Sequence, residues 1–300
     1  MSLAIVIPAY KPQFFKETLE SFNAQTNKNF TLYIGDDCSP SDLHSIAKQY
    51  FTSLNIVYHK FESNMGGKSL VKQWERCIDL VGDEEWIWLF SDDDLADPNC
   101  VENFYRHSKE KYNLLHFNVR VVDGNGKVQK ESNAPMQTMP SIIFLEQKLS
   151  FKLESFACEY IFRKNEFHQK GGFVEFPIGW CSDDATWALL GRETGISTIT
   201  DAMVSWRKSE INISSDTSDY YYLKRDAILS FFEWMNDNFD VIGDSLRNSM
   251  IHFIQVNMAN YSGPKSVFEV FYVSFRLSFI LKTNPLPILK LFLSTWIKKK

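Results

Sequence analysis

Three adjacent aspartates, Asp92, Asp93 and Asp94, follow the apolar run "EWIWLF". Neighbouring carboxylates raise one another's pKa values and titrate together unless a positive charge neutralises them. A hard divalent ion such as Mg²⁺ or Mn²⁺ accepts such oxygens and completes its shell with water and phosphate oxygens. The run therefore indicates a metal ion that holds a diphosphate. A solvated loop, with Asp97 capping the next helix, is the competing interpretation.

A second acidic pair, Asp36 and Asp37, ends another apolar run in "FTLYIGDDCS". Ligands of open α/β sheets bind beyond the carboxyl ends of the strands, so both acidic clusters are expected to face one crevice. Alternation along an extended segment predicts Asp92 and Asp94 on one side and Asp93 on the other. Asp36 or Asp37 could instead cap the following helix or begin a turn.

Short apolar runs alternate with amphipathic stretches over the first hundred residues. The strand candidates are "LAIVIPA", "FTLYIGDD", "LNIVYHK" and "EWIWLF". The helix candidates are "PQFFKETLESFNAQ", "SDLHSIAKQYF" and "GGKSLVKQWERCIDLV", in which apolar residues recur at helical spacing. Four strands that alternate with three helices predict a parallel sheet with helices on both sides.

The elements after the acidic turn are less regular. Asp97 as N-cap and Pro98 at the first position predict a helix, and "DGNG" predicts a β-hairpin. "FACEYIFRK" and "ISTITDAMVSWR" read as strands, and "CSDDATWALLGRETG" as a helix closed by Gly195. From Asp219 onward the pattern is helical. We therefore predict an α/β domain over residues 1–210 and a helical region over 211–300.

Composition narrows the class of protein. The 300 residues are 44% hydrophobic with a formal net charge of -5, which fits a folded soluble protein and names no nucleic-acid partner. Five scattered cysteines without CxxC spacing indicate neither disulfides nor zinc, and favour a reducing compartment. No apolar stretch reaches the roughly 20 residues of a membrane-spanning helix. A cytoplasmic location is expected.

The ordered set "IVIPAYK", "IGDDCSP", "NMGGK", "SDDDLADP" and "SDDATW" resembles the family-2 inverting glycosyltransferases of the GT-A fold. The resemblance covers residues 3 to about 210. It implies a Rossmann-like, mixed and mainly parallel sheet flanked by helices, here with a helical C-terminal extension. It also implies metal-dependent transfer of a sugar, with inversion, from a nucleotide-diphosphate sugar to an acceptor hydroxyl, in bacterial-type surface polysaccharide synthesis.

The resemblance assigns a set of nucleotide-binding residues, namely Pro8, Ala9, Tyr10, Asp37, Asn64, Gly67, Lys68 and Asp92. Pro8, Ala9 and Tyr10 would line the base pocket, and Asp37 would hydrogen-bond the base. In "NMGGK", glycines permit close backbone approach and the lysine can neutralise phosphate. The same segment could be only a turn that starts the next helix, and Tyr10 could be a packing residue.

The resemblance also places the metal and the catalytic base. Asp92 and Asp94 have the DxD spacing of the metal ligands, and Asp93 competes with them. Asp184 matches the catalytic aspartate, while Asp183 stands where glutamate is more usual. A helix start would keep these carboxylates ionised. Ser182 or Asp183 could instead be the N-cap of the helix.

One departure qualifies the resemblance. Many family members follow the last strand with an aromatic-Arg-x-His pattern, in which the histidine can join the metal shell. Here Arg207 is present, but Ser209 stands where that histidine would be. Trp180 and Trp206 could stack on an acceptor sugar or belong to the core.

The C-terminal segment is basic and aromatic, with no acidic residue beyond Glu269. Such helices suit the surface of an anionic membrane. They therefore predict a cytoplasmic enzyme on the inner face of the plasma membrane, which acts on a saccharide or lipid-linked saccharide acceptor. Equally, they could pack on the rest of the chain or on a second copy in a homodimer.

Two rival functions remain at this stage. One is a non-catalytic sugar-nucleotide-binding protein that keeps the fold. The other is a metal-dependent nucleotidyltransferase or phosphatase, which the lack of a G-x-x-x-x-G-K-[ST] loop weakens.

Overall fold

The computed structural model describes residues 1–109, 111–209, 220–239, 243–260 and 266–298, with side chains described as far as residue 294. The strands of this part are β1 (Leu3–Ala9), β2 (Thr31–Asp36), β3 (Ile56–Lys60), β4 (Trp86–Leu89), β5 (Leu95–Ala96), β6 (Leu114–Val122), β7 (Val128–Ser132), β8 (Thr138–Met139), β9 (Tyr160–Arg163) and β10 (Ile196–Arg207). The α-helices are α1 (Phe15–Asn23), α2 (Leu43–Ala47), α3 (Leu70–Ile78), α4 (Cys100–His107), α5 (Ser141–Leu149), α6 (Lys164–Gln169), α7 (Ser182–Leu190), α8 (Tyr221–Asn238), α9 (Asp244–Asn260), α10 (Val267–Ile280) and α11 (Pro285–Lys298).

A single mixed sheet organises the chain, in the order β3-β2-β1-β4-β9-β6-β10-β5. The pairs β3/β2, β2/β1 and β1/β4 are parallel, which confirms the predicted alternation of strands and helices. β9 enters antiparallel between β4 and β6, and β10 returns parallel to β6. The predicted hairpin around "DGNG" is the antiparallel pair β6/β7.

Helices cover both faces of the sheet. Successive residues of β1 alternate between two separate apolar cores, with Ile5 and Ile7 in one and Ala4 and Val6 in the other. One core includes α1 and α4, and the other includes α3, α5 and α7. A strand that is apolar on both faces is the pattern of a central parallel strand, as "LAIVIPA" predicts.

The C-terminal helices share one of these cores. Buried side chains of α8 and α9, such as Phe232 and Met250, join the same apolar cluster as Phe144 of α5 and Trp187 of α7. Buried residues of α10 and α11 extend that cluster. The C-terminal helices therefore pack on the α/β part, which was one of the two alternatives that the sequence left open. The predicted boundary at residue 210 falls outside the described residues and remains a proposal.

Two predicted helix ends are wrong. Helix α4 begins at Cys100 with Asn99 before it, and Asp97 does not cap it. The Asp97 carboxylate is instead held by Arg120 through two hydrogen bonds of 2.8 Å, which a position outside the helix allows. Helix α7 ends at Leu190, and Gly195 lies in the following turn at φ +79°.

A buried histidine in strand β6 provides a test of pH-dependent stability. His116 is buried, its Nδ1 donates to the Phe117 carbonyl oxygen at 2.9 Å, and its ring stacks on Tyr160. Burial lowers the pKa of His116 to about 4. The unfolded chain therefore takes up a proton at a higher pH than the folded one, and stability that is complete above the unfolded pKa is lost as pH falls towards 4.

We expect His116 to account for about 2 kcal/mol of the fall in unfolding free energy between pH 7 and pH 5. Urea unfolding of the wild type and of His116→Gln at both pH values checks this. The variant's unfolding free energy should depend less on pH by that amount, and parallel curves for the two proteins would refute the assignment.

Candidate active site

A cleft of about 1540 Å³ opens at the carboxyl ends of β1, β2 and β4 and extends to the start of α7. It is lined by eleven of the twelve residues predicted from the sequence: Pro8, Ala9, Tyr10, Asp37, Asn64, Gly67, Lys68, Asp92, Asp93, Asp183 and Asp184. Asp94 does not line it. The strand ends therefore bring both acidic clusters to one crevice, as the parallel topology predicts.

Asp92 fastens the acidic turn to the end of β1. Its Oδ2 accepts the backbone N–H groups of Tyr10 and Lys11 at 2.7 and 2.8 Å. Burial raises the pKa of this carboxyl, and the two N–H donors oppose the rise. One carboxylate oxygen of Asp92 is thus already used in hydrogen bonds that connect the acidic turn to the end of β1.

Asp93 and Asp94 do not occupy the sides that alternation predicts. Because β4 ends at Leu89, the turn is bent rather than extended, and Asp92 and Asp93 both line the cleft. Asp94 is fully buried behind it, and its Oδ1 accepts the N–H of Arg207 at 2.8 Å. That part of the prediction is wrong.

The Asp93 carboxylate accepts no hydrogen bond from any residue in the described part of the chain. Burial, followed by the charges of Asp94 and Asp92, raises the pKa of Asp93 to about 8. Burial raises the pKa of Asp94 to about 6. Asp93 is therefore mostly protonated at neutral pH, and a cation beside it would favour its ionised form.

Arg207 holds the acidic turn from the opposite side, a role that the sequence did not suggest. This buried guanidinium donates to the Asp93 carbonyl at 2.9 Å and to the Gly124 carbonyl at 3.1 Å, and pairs with Glu17 at 2.6 Å. It also lies over the ring of Phe14, 4.2 Å from the centroid. These contacts fix the direction of the Asp93 backbone.

Asp37 is the centre of a second network. Its carboxylate accepts the backbone N–H groups of Met65 at 2.6 Å and Gly66 at 2.8 Å, and pairs with the Arg76 guanidinium. Arg76 also lies over the Phe61 ring at 3.8 Å. Sequence reasoning missed Arg76, although a basic residue on the helix after "NMGGK" was the available signal.

Asp36 closes the turn after β2 rather than capping a helix. Its Oδ1 accepts the Ser39 N–H at 2.7 Å, and its Oδ2 accepts the Tyr58 hydroxyl at 2.6 Å. Asp42, not Asp36 or Asp37, caps helix α2. The alternative that Asp36 begins a turn is therefore correct.

The segment "NMGGK" forms a tight turn against Asp37. Asn64 Oδ1 accepts the Gly67 N–H at 2.7 Å, and a Cβ on Gly66 would lie 2.8 Å from Asp37 Oδ2. A side chain at either Gly66 or Gly67 would collide with a neighbouring side chain, so packing within the protein accounts for both glycines. Lys68 lines the cleft at its exposed rim, where its ammonium group can meet an anion.

The substitution Gly66→Ala is expected to destabilise the protein by about 1 to 2 kcal/mol, because the added methyl group forces the Asp37 carboxylate away from its hydrogen-bond donors. Gly124→Ala is the matched control, since a Cβ there meets nothing within 4 Å. Thermal unfolding of the two variants checks the difference. Equal unfolding temperatures would show that the turn yields without cost.

Helix α7 presents Asp183 and Asp184 to the far end of the cleft. The helix begins at Ser182, and Cys181, at φ 64°, is its N-cap without a side-chain cap. Ser182 and Asp183 are therefore not N-caps, and that alternative is wrong. Both aspartates lie in the first helical turn, where the helix dipole favours negative charge.

Asp184 is held by two partners that sequence reasoning missed. Its Oδ1 accepts the Ser155 hydroxyl at 3.0 Å, and its Oδ2 lies 3.4 Å from the Lys148 ammonium. Lys148 also donates to the Ser155 carbonyl at 2.6 Å. Burial alone would lower the pKa of Lys148, but the charges of Asp184 and Asp183 outweigh it and raise that pKa.

Asp183 differs from its neighbour in having no hydrogen bond to another side chain within the described residues. Burial, and then the charge of Asp184, raises the pKa of Asp183 to about 7. Asp183 is therefore the carboxyl of the pair that titrates near neutrality.

Aromatic side chains surround this end of the cleft. Trp206 stacks on Phe156 with ring centroids 4.0 Å apart and 5° between the planes, and both rings line the cleft. Trp180 also lines it, with the Lys224 ammonium 4.5 Å from its ring centroid. The two half-buried tryptophans thus pack against the apolar cores and also line the cleft.

No group of three or more His, Cys, Asp or Glu side chains within the described ranges is arranged to hold a metal ion by itself. Asp93 nevertheless fits an ion that brings phosphate and water oxygens with it, because its carboxylate lacks hydrogen-bond donors and faces the cleft. The donor set suits Mg²⁺ or Mn²⁺ rather than a metal that prefers nitrogen or sulfur.

Solved structures share this architecture. TarS 1–349 of S. aureus, in a crystal with UDP-GlcNAc, matches all of this chain and 89% of its own, with a TM-score of 0.69 and 16% identity. The mannosyltransferase PcManGT of Pyrobaculum calidifontis, in complex with GDP-Man and Mn²⁺, matches 97% of this chain and 78% of its own, with a TM-score of 0.57 and 10% identity. At these identities the likeness shows the fold.

No curated protein sequence gives a significant match. The model of the family described as glycosyl transferase family 2 matches residues 4–171, which is more than half of the chain. This span contains the acidic turn, Asp37 and the "NMGGK" turn. The chain therefore belongs to glycosyl transferase family 2 and is a glycosyltransferase of the GT-A fold.

Proposed function

We propose that the protein transfers a sugar from a nucleoside diphosphate sugar to an acceptor hydroxyl, with inversion at the anomeric carbon and with a divalent metal ion. One observation carries this proposal. Asp93, which lacks hydrogen-bond donors in the described chain, lines the same cleft as the Asp183–Asp184 pair. A metal-held diphosphate at one carboxylate and an acceptor at the other would meet across the cleft.

The donor would lie along the strand ends. Pro8, Ala9 and Tyr10 would contact the base, and Lys68 at the rim would neutralise a phosphate. The Asp37 carboxylate already accepts hydrogen bonds from three donors, one of which is the Arg76 guanidinium. A hydrogen bond from the base would be a further one, so Arg76 would help to position Asp37 for the base. The similar structures are complexes with UDP-GlcNAc and with GDP-Man, which supports a nucleotide-sugar donor here.

Asp93 would hold the metal ion, with Asp92 and Asp94 supporting it. When bound, Mg²⁺ or Mn²⁺ neutralises the charge that develops on the departing diphosphate. Asp92 contributes by anchoring the turn to β1, and Asp94 by anchoring it to Arg207. Burial, together with the charges of Asp94 and Asp92, raises the pKa of the Asp93 carboxyl, so that a cation can take the place of its proton.

Asp184 would act as the general base. The Ser155 hydroxyl orients its carboxylate, and the Lys148 ammonium lies 3.4 Å from it, so that the carboxylate is held in place for proton transfer. The acceptor oxygen forms a bond to the anomeric carbon and its proton passes to Asp184. The bond from that carbon to the phosphate oxygen breaks on the opposite face, and the electron pair leaves with the diphosphate.

The C-terminal helices would help to bind the acceptor. Tyr220, Phe253 and Asn257 line the same cleft as Asp183. The stacked pair Phe156–Trp206 adds a flat aromatic wall next to Ser155, and such walls suit the apolar faces of sugar rings. A saccharide acceptor, as in the synthesis of surface polysaccharide, fits these residues.

Stabilisation by a panel of nucleotide sugars, each with and without Mn²⁺, tests the proposal, because a ligand of the native state raises the unfolding temperature. Chromatography of the reaction products then separates the rivals. Release of a nucleoside diphosphate with transfer or hydrolysis of the sugar supports it. Pyrophosphate or inorganic phosphate would indicate a nucleotidyltransferase or phosphatase, and binding without turnover a sugar-nucleotide-binding protein.

A further inference from the structure

Helix α10 has an aromatic solvent face. Its exposed side chains are Phe268, Phe271, Tyr272, Phe275 and Phe279, and each of its exposed positions is a phenylalanine or tyrosine. Phe268 and Phe279 are 81% exposed and Phe275 is 53% exposed. The spacing of three, four and seven residues places them on one stripe of the helix, which we name the α10 aromatic face.

The opposite side of α10 already has its partners. Val270, Val273 and Leu277 are fully buried in the core shared with α8 and α9. The α10 aromatic face is therefore not the packing face of the helix. Water is a poor solvent for such a stripe, and exposed apolar patches of this kind mark surfaces that meet a protein or a membrane.

The α10 aromatic face continues towards the cleft. The Arg225 guanidinium lies 4.8 Å from the ring centroid of Tyr272 and 5.0 Å from that of Tyr222, which is itself half exposed. Tyr220, two residues earlier, lines the cleft. A surface that covered the α10 aromatic face would thus lie near the side of the cleft assigned to the acceptor.

Charge distinguishes between the partners that could cover this face. Residues 270–300 contain Lys282, Lys290, Lys298, Lys299 and Lys300, together with Arg276, which pairs with Glu233, and they contain no acidic residue. Lys282, three residues after Phe279, is exposed, and Lys290 is exposed on α11. A symmetric contact with a second copy would bring this basic segment against itself, whereas anionic lipid headgroups complement it.

We propose that the α10 aromatic face binds the surface of an anionic lipid bilayer, with its phenylalanines in the interface and Lys282 and Lys290 on lipid phosphates. Interfacial binding fits a helix with one aromatic side and basic neighbours. No helix in the described segments is long and apolar enough to cross a membrane. This proposal adds a location to the transferase reaction, and catalysis in solution does not depend on it.

Co-sedimentation of the full chain with vesicles tests the proposal. Vesicles of phosphatidylcholine with phosphatidylglycerol are expected to bind the wild type, and pure phosphatidylcholine vesicles at least about tenfold more weakly. The triple variant Phe268→Ser/Phe275→Ser/Phe279→Ser should bind anionic vesicles at least about tenfold more weakly than the wild type. Lys282→Glu/Lys290→Glu should lose about tenfold on anionic vesicles only.

Val57→Ser/Val128→Ser is the matched control, because both valines are exposed at a distance in sequence from α10. It should bind vesicles like the wild type. Hydrolysis of the donor in solution should be unchanged in every variant, so that a failure of this proposal is separate from a failure of the transferase assignment.

Equal vesicle binding by the wild type and the triple phenylalanine variant would overturn the proposal. So would a light-scattering result in which the wild type is a dimer and the triple variant a monomer, because a second copy would then cover the face. Weak binding of the wild type to both kinds of vesicle would overturn it as well.

Discussion

Asp184→Asn is expected to lower the rate of sugar transfer at least about 100-fold, because an amide cannot take the proton of the acceptor hydroxyl. The same change leaves Lys148 without its carboxylate partner in a buried site, which we expect to destabilise the protein by about 3 kcal/mol. Initial rates at saturating donor, measured together with thermal unfolding, give both effects. Nucleotide binding should persist.

Two variants separate catalysis from stability. Lys148→Met breaks the same ion pair and should destabilise the protein to a similar extent, yet it retains the Asp184 carboxylate and should transfer sugar faster than Asp184→Asn. Asp183→Asn should lose less than about tenfold in rate. If Asp183→Asn were the slower of the two aspartate variants, the proton acceptor would be Asp183 instead.

Asp93→Asn should abolish the dependence of transfer on Mn²⁺ and lower the rate at least about 100-fold, since an amide is a weaker metal ligand and several kcal/mol of transition-state stabilisation are lost. The variant should not unfold at a lower temperature, because it removes a carboxyl crowded by Asp94 and Asp92. Rates over a series of Mn²⁺ concentrations measure the effect.

Asp94→Asn is the matched comparison within the acidic turn. Its side chain accepts the Arg207 N–H and does not line the cleft, so this change should lower the unfolding temperature while leaving the Mn²⁺ concentration for half-maximal rate near that of the wild type. If the Asp94 variant needed much more Mn²⁺ and the Asp93 variant did not, Asp94 rather than Asp93 would be the metal ligand.

Local patterns predicted the strands and the crevice because they depend on short-range periodicity. "LAIVIPA" is apolar on both faces, which identifies a central strand, and the acidic residues follow strands whose ends meet at one edge. The alternation rule failed at Asp92–Asp94 because the strand stops at Leu89 and a bend follows. Local spacing does not reveal where a strand yields to a turn.

The partners of the carboxylates proposed for catalysis and metal binding come from distant parts of the chain. Lys148 and Ser155 reach Asp184 from α5 and the loop after it, and Arg207 reaches the acidic turn from the end of β10. Their sequence neighbours carry no sign of these contacts, because the folded sheet creates the proximity. Asp97 likewise binds Arg120 instead of capping α4, because the folded sheet brings Arg120 close to it.

Composition of the C-terminal segment suggested either a membrane surface or packing on protein, and the structure shows packing on the rest of the chain. The buried stripe of α10 packs in the core, whereas the exposed stripe is aromatic. A helix that is apolar all round cannot be oriented from its sequence alone, because periodicity then marks no single face.

Crystals of the wild type grown with UDP and Mn²⁺ test the central claim most directly, through the anomalous signal of manganese. We expect one manganese peak in the cleft, coordinated by the Asp93 carboxylate and by both phosphates of the nucleotide. A nucleotide bound in the cleft without manganese at Asp93, or manganese bound only elsewhere on the protein, would contradict the account.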